Sequence, residues 1–252
     1  MNEHERLLQE IVSEEDLKKV FDKVFDNQTI MALHKLARQE YFKEIEFVIS
    51  SGKEGKVFRA VDNAGNYRAV KLYKTKAVEF RHLRQYIEND LRFKNVKKDH
   101  ISLIYAWTKK EFKNLERMGT AAGVRVPMPL AFNKNALVME FIGKNGVAAG
   151  RLKENPLDDT EKLKDFFVDS IARMIEKAGL VHADLSEYNV LNNNGELVII
   201  DVGQSVLLSH PKAKEFFERD LSNVANYLEK QGLEVDTESL RKEIEERQKE
   251  IK

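Results

Sequence analysis

Two short polar segments in the second half of the chain carry residues that can support phosphoryl transfer. The first runs from His182 to Asn189 with the pattern His-x-Asp-Leu-x-x-x-Asn, and the second is Asp201-Val202-Gly203 after an apolar run. Phosphoryl transfer requires mainly positioning and charge neutralisation from a protein. Asp184 can face the attacking hydroxyl group or water, while the oxygens of Asn189 and Asp201 can hold Mg²⁺ against the phosphates. We therefore predict an ATP-dependent phosphotransferase with Asp184 and Asp201 as catalytic residues and Asn189 and Asp201 as metal ligands.

A glycine-containing hairpin upstream is suited to cover phosphates. In Ser50-Ser51-Gly52-Lys53-Glu54-Gly55-Lys56-Val57 the glycines let the backbone approach closely, so that amide N–H groups can face phosphate oxygens. Ala69-Val70-Lys71 follows after Asn63-Ala64-Gly65-Asn66, a turn between two apolar runs. This order predicts strand, hairpin and strand, with Lys71 as a third catalytic residue at the α- and β-phosphates. The ATP-binding residues expected from this segment are Ser51, Gly52, Lys53, Glu54, Gly55, Val57 and Lys71.

Two further segments complete the expected nucleotide site. Glu111 lies in a helical pattern, and its Glu-x-x-x-Leu spacing suits the helix-borne glutamate that pairs with Lys71, although Glu116 is a nearby rival. The apolar strand from residue 136 to 142 fits a segment whose backbone at Glu140 and Ile142 faces adenine. Met139 would then lie behind the adenine, and it fits a core position equally well.

Composition narrows the class of protein. The 252 residues can bury a sizeable core, and Lys+Arg and Asp+Glu are balanced at 42 each, so the net charge favours neither nucleic acid nor membrane. The absence of cysteine excludes disulfides and thiolate metal sites. The first residues lack an apolar signal core, and no apolar run reaches the roughly 18 residues of a spanning helix. We therefore expect a cytoplasmic protein with no membrane contact.

The hydrophobic pattern predicts an α+β fold in which a small antiparallel sheet precedes a mainly helical part, as one large domain or two lobes. For two lobes, residues 1–45 are predicted to form a helical extension, 46–143 the N-lobe and 144–252 the C-lobe. Within the N-lobe, residues 76–107 form a charged, aromatic insertion expected to include a flexible loop. The first helical stripe comprises Leu7, Leu8, Ile11, Val12, Leu17, Val20, Phe21 and Val24. Thr29 is the expected cap of the next helix, Gly179 the left-handed end of a helix from Thr160, and Pro211 the start of another.

These motifs resemble the RIO family of atypical protein kinases, and in detail its type-one subfamily in a compact, archaeal-like form. The resemblance covers about residues 25 to 230. The runs that carry it are Ile49 to Phe58, Trp107 to Phe112, Leu180 to Asn189 and Asp201 to Val206. Gly55 departs from the subfamily, which often has alanine at this position. The winged-helix module of the type-two subfamily is not expected, because residues 1–45 are too few and lack its strands.

The resemblance implies a bilobal protein-kinase-like fold with a truncated C-lobe. There is no A-P-E motif and no long activation segment between Asp201 and the helix after Pro211, and Ser186 replaces the lysine of typical protein kinases. The peptide-binding platform is therefore expected to be absent or reduced, and the sequence does not indicate the protein substrate. The implied cofactors are ATP with Mg²⁺ or Mn²⁺.

Two activities follow from the resemblance. They are serine/threonine phosphorylation, including autophosphorylation, and ATP hydrolysis in small ribosomal subunit maturation, in which Asp201 would accept phosphate transiently. The implied partner is the precursor of that subunit, with its rRNA and ribosomal proteins. A basic cluster fits such a surface, or an ordinary solvated face, and consists of Arg92, Lys94, Lys97, Lys98, Lys109, Lys110 and Lys113.

Two other classes share part of the pattern. Small-molecule kinases of the aminoglycoside type have His-x-Asp-x-x-x-x-Asn, usually with glycine after the histidine and a second acidic residue after the metal aspartate. Ala183 and the sequence Asp201-Val202-Gly203 argue against that class. A nucleotide-binding scaffold without catalysis would tolerate the loss of Asp184 or Lys71, and both are present.

Overall fold

The computed structural model of the chain describes residues 3–12, 26–75 and 83–252. They fall into two compact units. The first unit comprises Met1–Gln85, Arg92–Phe112 and Met128–Phe141, and the second comprises Tyr86–Leu91, Lys113–Pro127 and Ile142–Lys252. Residues 86–91 and 113–127, expected with the N-lobe, thus belong to the second unit.

The first unit is an antiparallel sheet covered by two helices. Its elements are α1 (Glu3–Ile11), α2 (Asn27–Arg38), β1 (Glu44–Ser51), β2 (Gly55–Val61), β3 (Tyr67–Tyr73), β4 (Pro129–Asn133) and β5 (Ala136–Glu140). The strand order is β1-β2-β3-β5-β4. Leu8, Ile11 and Val12 of the predicted stripe are buried against α2 and the sheet. Leu17, Val20, Phe21 and Val24 of the same stripe lie outside the described residues.

Short-range polar contacts fix the ends of these elements. Asp26, and not Thr29, is the N-cap of α2, because its carboxylate accepts hydrogen bonds from the amide and the hydroxyl of Thr29, both at 2.8 Å. Thr29 is therefore a buried residue of the first turn, and the predicted cap was wrong. The predicted turn before β3 is confirmed: the Asp62 carboxylate accepts from the amides of Ala64 and Asn66, at 2.9 and 2.8 Å.

The segment after β3 is partly helical. The elements of its described part are α3 (Arg84–Ile87), a 3₁₀ turn (Leu91–Phe93) and α4 (His100–Glu116). The helix that carries Glu111 begins at His100, and it buries Ile104 and Trp107. Residues 100–107, predicted as part of a flexible insertion, are helical, and residues 76–82 of that insertion lie outside the described residues.

The second unit combines three small sheets with longer helices. Its elements are β6 (Gly143–Lys144), β7 (Val147–Ala148), β8 (Gly150–Arg151), α5 (Thr160–Glu176), β9 (Leu180–Val181), β10 (Val190–Asn193), β11 (Glu196–Ile199), β12 (Val206–Leu207), α6 (Ala213–Lys230) and α7 (Thr237–Glu250). The predicted left-handed Gly179 is confirmed, with φ of 60°. The helix expected from Pro211 begins at Ala213.

Candidate active site

A buried ion pair in the first unit joins β3 to α4. Nζ of Lys71 donates to Oε1 of Glu111 across 2.7 Å, and the side chain of Glu111 is only 2% exposed. Glu116, the rival candidate, instead pairs with Lys113 across 2.6 Å near the surface. The second carboxylate oxygen of Glu111 accepts a hydrogen bond from the hydroxyl of Tyr73. Burial, followed by the charge of Glu111, raises the pKa of Tyr73 well above its usual value, so the hydroxyl remains a donor.

The glycine hairpin connects β1 to β2. The amide of Gly52 donates to the carbonyl of Gly55 across 2.9 Å, which closes the turn. Nζ of Lys74, the residue after β3, donates to the carbonyl oxygens of Gly52 and Lys53 at 3.0 Å each. The amide of Lys74 also donates to the carbonyl of Glu54 at 2.9 Å. The hairpin is therefore held against the end of the strand that carries Lys71.

Gly55 occupies a position with no room for a side chain. A Cβ atom there would lie 2.3 Å from the carbonyl oxygen of Leu72 on β3, well inside van der Waals contact. This close approach accounts for glycine where the subfamily often has alanine. Two residues later, Val57 lies directly opposite Lys71 in the β2–β3 ladder. Since adjacent strands are about 4.8 Å apart, Val57 and Lys71 border the same part of the sheet.

The residues predicted to face adenine lie at and after the end of β5. Met139 is half-buried in this strand. The amide of Glu140 donates to the carbonyl of Met128 across 2.8 Å, and its carboxylate accepts from the Met128 amide at 3.0 Å. Because the amide of Glu140 is bound to Met128, the predicted contact between the Glu140 backbone and adenine would be made by its carbonyl oxygen. In the second unit, the carbonyl oxygen of Ile142 accepts a hydrogen bond from the amide of Ala149 at 3.0 Å.

In the second unit, the loop between β9 and β10 brings together Asp184 and Asn189. Nδ2 of Asn189 donates to the carbonyl of Asp184 at 2.7 Å and to its carboxylate at 3.0 Å. Burial raises the pKa of Asp184, and the charge of Asp201 raises it further, whereas the Asn189 bond and the charge of Arg219 lower it. Asp184 is thus an oriented, half-buried carboxylate whose proton affinity is raised, which suits a group that accepts a proton from a hydroxyl.

His182 supports this loop from the interior. Its Nε2 lies 3.2 Å from the carbonyl oxygen of Ile200, the residue before Asp201. Burial lowers the pKa of His182 to about 4, so the ring is neutral near pH 7 and donates to that carbonyl. The amide of Ile200 in turn donates to the carbonyl of Asn189 at 2.9 Å. These bonds join the two segments that were predicted to hold the metal.

Two adjacent residues of α6 anchor the backbone of the same loop. The carboxylate of Asp220 accepts from the amides of Ala183 and Leu185, at 2.7 and 2.9 Å. Arg219 donates to the carbonyl of Ala183 and, across 3.2 Å, to the hydroxyl of Tyr86. Ala183 has φ of 68°, a left-handed conformation that is unfavourable for alanine. The two α6 side chains therefore maintain the bend that presents Asp184.

Asp201 also has a left-handed backbone, with φ of 58° and ψ of 48°, and it precedes a 3₁₀ turn (Val202–Gln204). Nδ2 of Asn114, which is buried, donates to the carbonyl oxygens of Val202 and Ser205 at 2.7 and 3.3 Å. Asn114 thus fixes the turn that follows Asp201. Left-handed geometry is tolerated by aspartate better than by most residues.

Asn189 and Asp201, the predicted metal ligands, carry oxygen atoms of the kind that Mg²⁺ binds. Magnesium takes oxygen ligands and is commonly bound by one or two carboxylates together with substrate phosphates and waters. Asn189 directs its amide nitrogen at Asp184, so its amide oxygen is the atom it can offer to a metal. Among the described residues no group of three or more His, Cys, Asp or Glu side chains could hold a metal. Asn189 and Asp201 would accordingly bind the ion together with the phosphates of ATP.

Four supporting residues were not recognised from the sequence: Tyr73, Asn114, Arg219 and Asp220. The sequence did indicate a structural role for Asp220, because this residue lies on the apolar, buried face of α6 between Phe216 and Val224. A charged residue at such a position is rarely fully buried without partners. For Tyr73 and Asn114 no local pattern indicates the partner.

Comparison with known proteins shows the family of this chain. The model of the RIO domain matches residues 56–240. A RIO-type serine/threonine-protein kinase Rio1 of Haloferax volcanii is 44% identical over 229 residues, which cover 89% of this chain and 77% of the relative. The protein of the same name from Thermoplasma acidophilum is 40% identical over 188 residues, which cover 75% of this chain and 98% of the relative.

Solved structures confirm the class of fold. The Rio2 kinase–ADP/Mg²⁺–phosphoaspartate complex of Chaetomium thermophilum matches with a TM-score of 0.67 at 21% identity, covering 87% of this chain and 67% of the other. The Rio2 kinase of the same organism also matches, with a TM-score of 0.65 at 22% identity, covering 86% and 67%. The predicted α+β, kinase-like fold is thus confirmed. Among the described residues, no helix has the length and apolar character required to cross a membrane.

Proposed function

The chain belongs to the RIO family of kinases, and from this membership we propose that it transfers the γ-phosphoryl group of ATP to serine or threonine hydroxyls, including its own. The observation that carries the proposal is the loop in which Asn189 orients the carboxylate of Asp184. The buried pair of Lys71 and Glu111 supports it. The family match sets aside the small-molecule kinases of the aminoglycoside type.

Each side chain has a distinct proposed role. Lys71, directed by Glu111, binds the α- and β-phosphates, and Asp184 accepts the proton of the attacking hydroxyl group. Asn189 and Asp201 hold Mg²⁺, which when bound neutralises charge on the phosphates. The remaining predicted ATP-binding residues would cover the phosphates or contact adenine. They are Ser51, Gly52, Lys53, Glu54, Gly55, Val57, Met139, Glu140 and Ile142.

We also propose ATP hydrolysis in the absence of a protein acceptor. In this reaction a carboxylate oxygen of Asp201 bonds to the γ-phosphorus, ADP leaves, and water then hydrolyses the acyl phosphate to release phosphate and restore Asp201. The proposal rests on the family resemblance. Its support in the molecule is the backbone of Asp201, which is fixed by the contacts of the turn that follows it.

The proposed acceptor for autophosphorylation is Ser102. Three hydroxyls of serine and threonine occur from residue 75 to 108, and two of them are buried: Thr75 donates to Asp26 at 2.9 Å and Thr108 to the carbonyl of Ile104 at 3.0 Å. Ser102 is half-exposed in the first turn of α4. Its hydroxyl is therefore the accessible acceptor in this region.

We expect the chain, incubated with γ-labelled ATP and Mg²⁺, to yield both free phosphate and phosphoprotein, with the modification at Ser102. Mass spectrometry locates the phosphate, and Ser102→Ala is the matched control because it removes one hydroxyl on an exposed helical turn. That variant should lose most of the label in the protein while free phosphate is still released. Labelling of the variant at the wild-type level would contradict the choice of Ser102, and no label in either product would contradict the proposed function.

We further propose that the cellular partner is a precursor of the small ribosomal subunit in the cytoplasm, an inference from the family resemblance. Four lysines of the predicted basic cluster are exposed in the first unit and support a phosphate-binding surface: Lys94, Lys97, Lys98 and Lys109. Lys110 does not belong to this basic cluster, because it is buried with Nζ 4.5 Å from the ring of Trp107. Lys113 is paired with Glu116.

We expect salt-sensitive cosedimentation with small-subunit precursor particles, because lysines that neutralise phosphates release counterions on binding. Replacing Lys94, Lys97 and Lys98 together by glutamine should weaken the association by about tenfold or more at low salt. A matched triple replacement of the exposed Lys230, Lys242 and Lys249, which lie on α6 and α7, is the control. If neither the wild type nor the Asp184→Ala variant, which should not transfer phosphate to hydroxyls, sediments with such particles at low salt in the presence of ATP and Mg²⁺, the ribosomal role is contradicted.

A further inference from the structure

The carboxylate of Glu111 is bound on both oxygens by side chains of a single strand. Lys71 and Tyr73 are two residues apart on β3, so they project from the same face of the sheet. Lys71 donates to Oε1 at 2.7 Å and the hydroxyl of Tyr73 donates to Oε2. Nζ of Lys71 also lies 5.1 Å from the centre of the Tyr73 ring. Glu111, Lys71 and Tyr73 therefore form one compact group, which is mostly buried.

The backbone of Tyr73 is itself fixed in both directions. Its amide donates to the carbonyl of Asn135 at 3.0 Å, and its carbonyl accepts from the side-chain amide of Asn135 at 2.8 Å. The same side-chain amide donates to the hydroxyl of Thr29, in the first turn of α2, at 2.9 Å. Asn135 and Thr29 are fully buried. The backbone of Tyr73 is therefore anchored to Asn135, in the turn between β4 and β5, and through Asn135 to α2. These contacts do not depend on Glu111.

Lys71 alone would be an incomplete partner for Glu111 during phosphoryl transfer. Its ammonium group must share its three N–H bonds between Glu111 and the phosphates once ATP is bound. A buried carboxylate that loses a donor bears a desolvation cost that is not compensated. Tyr73 supplies a donor that does not depend on nucleotide.

From these contacts we propose that Tyr73 is a positioning residue for the reaction, acting through Glu111 and not on the substrate. It keeps Glu111 against Lys71 whether or not ATP is present, so that Lys71 stays directed at the phosphates. The inference deepens the proposed function, and it rests on the role of Lys71 given there.

The decisive variant is Tyr73→Phe, which removes one hydroxyl and keeps the ring. Reductive methylation by formaldehyde and cyanoborohydride, followed by mass spectrometry, measures how readily Lys71 is modified without nucleotide. Loss of a hydrogen bond to a charged group corresponds to about tenfold or more in equilibrium. We therefore expect Lys71 to be methylated several-fold to about tenfold faster in the variant, and KM for ATP to rise by about tenfold with a smaller change in kcat.

The matched control is Tyr227→Phe, which removes the buried hydroxyl that donates to the carbonyl of Leu152 at 3.3 Å in the second unit. It should leave both the methylation of Lys71 and KM for ATP unchanged. An unaltered methylation rate in Tyr73→Phe would overturn the positioning role, even if the protein is an active kinase. A chain that never responds to ATP would overturn the proposed function, while the methylation result would still decide the role of Tyr73.

A second variant keeps the proposal open to refutation if Tyr73→Phe does not fold. Lys71→Met removes the ammonium group and leaves the Tyr73–Glu111 hydrogen bond in place. Hydrogen exchange of amides 110–114 in α4 should then remain within about twofold of the wild type, because Tyr73 still holds Glu111. A loss of protection of about tenfold or more would show that Lys71, and not Tyr73, holds Glu111.

Discussion

Replacing Asp184 by alanine is expected to abolish phosphoryl transfer while leaving nucleotide affinity within a few fold of the wild type. Asp184 addresses the attacking hydroxyl, and a positioned general base contributes about 10²–10⁴-fold to such reactions. Its contacts in the molecule are with Asn189, which orients it, and its raised pKa suits proton acceptance. Incorporation of label from γ-labelled ATP measures the reaction. Nucleotide binding is measured by thermal shift, since ATP at about 100 times its Kd adds roughly 2.7 kcal/mol of stability.

The matched comparison is Asp201→Ala, because both aspartates lie in the second unit and differ in their proposed tasks. Loss of Asp201 should remove the part of the ATP-induced thermal shift that requires Mg²⁺, as well as the reaction. Asp184→Asn, which keeps the size of the side chain, separates the loss of the carboxylate from the loss of packing. Equal losses of nucleotide binding in the Asp184 and Asp201 alanine variants would show that the two roles have been assigned to the wrong residues.

Replacing Asp220 by alanine is expected to produce the largest loss of stability among single changes near the site. The variant leaves the amides of Ala183 and Leu185 without their acceptor, and each unsatisfied buried group costs about 1–3 kcal/mol. The free energy of unfolding should therefore fall by about 2–6 kcal/mol, as measured by chemical denaturation. Asp220→Asn keeps one acceptor oxygen and should lose less near neutral pH.

The stability contributed by Asp220 should also depend on pH. Burial raises the pKa of Asp220 from 3.8 to about 7, and the charge of Asp184 also raises it. The hydrogen bonds from the amides of Leu185 and Ala183 and the charge of Arg219 lower it. The folded state therefore binds the proton more tightly than the unfolded state, so this contribution is complete below pH 3.8 and is lost as pH rises to about 7. Over this pH range the contribution of Asp220 to the free energy of unfolding changes by at most about 4 kcal/mol.

Asp220→Asn is the control for the pH effect because asparagine does not titrate. Chemical denaturation of both proteins at pH 5 and pH 7.5 should show the wild type losing stability relative to the variant as pH rises. A difference between the two proteins that stays constant across this interval would contradict the raised pKa of Asp220. It would then indicate that the two backbone amides outweigh burial.

Within each segment, the groups proposed for the chemistry were recognisable from the sequence because they are close together along the chain. Asp184 and Asn189 lie in one loop, where their spacing alone lets the amide reach the carboxylate. The glycine hairpin and the strand that carries Lys71 follow from local turn residues and alternation. The family was recognisable for the same reason, since short contiguous runs of residues carry the resemblance.

Choices between equivalent residues required the fold. Glu111 and Glu116 both fit the partner of Lys71 by pattern, and the pair that forms joins residues 40 positions apart. The direction of each helix face decides such a choice, and it places Glu111 against the sheet and Glu116 near solvent. Helical spacing places Trp107 one turn before Lys110. That the ammonium group of Lys110 is buried over the Trp107 ring, and so is lost to the basic surface, was seen only in the structure.

What the sequence by itself determined is therefore the set of groups that we propose for the chemistry, and the local turns and strands that carry them. What only the tertiary structure decided is how those groups are supported: Tyr73 on Glu111, Asn114 on the turn after Asp201, and Asp220 on the bend at Ala183. The physical reason is the separation along the chain between the residues that interact. Turns and strand alternation depend on neighbours a few residues away, whereas a buried polar group is satisfied by whichever partner packing brings within about 3 Å, however distant in sequence.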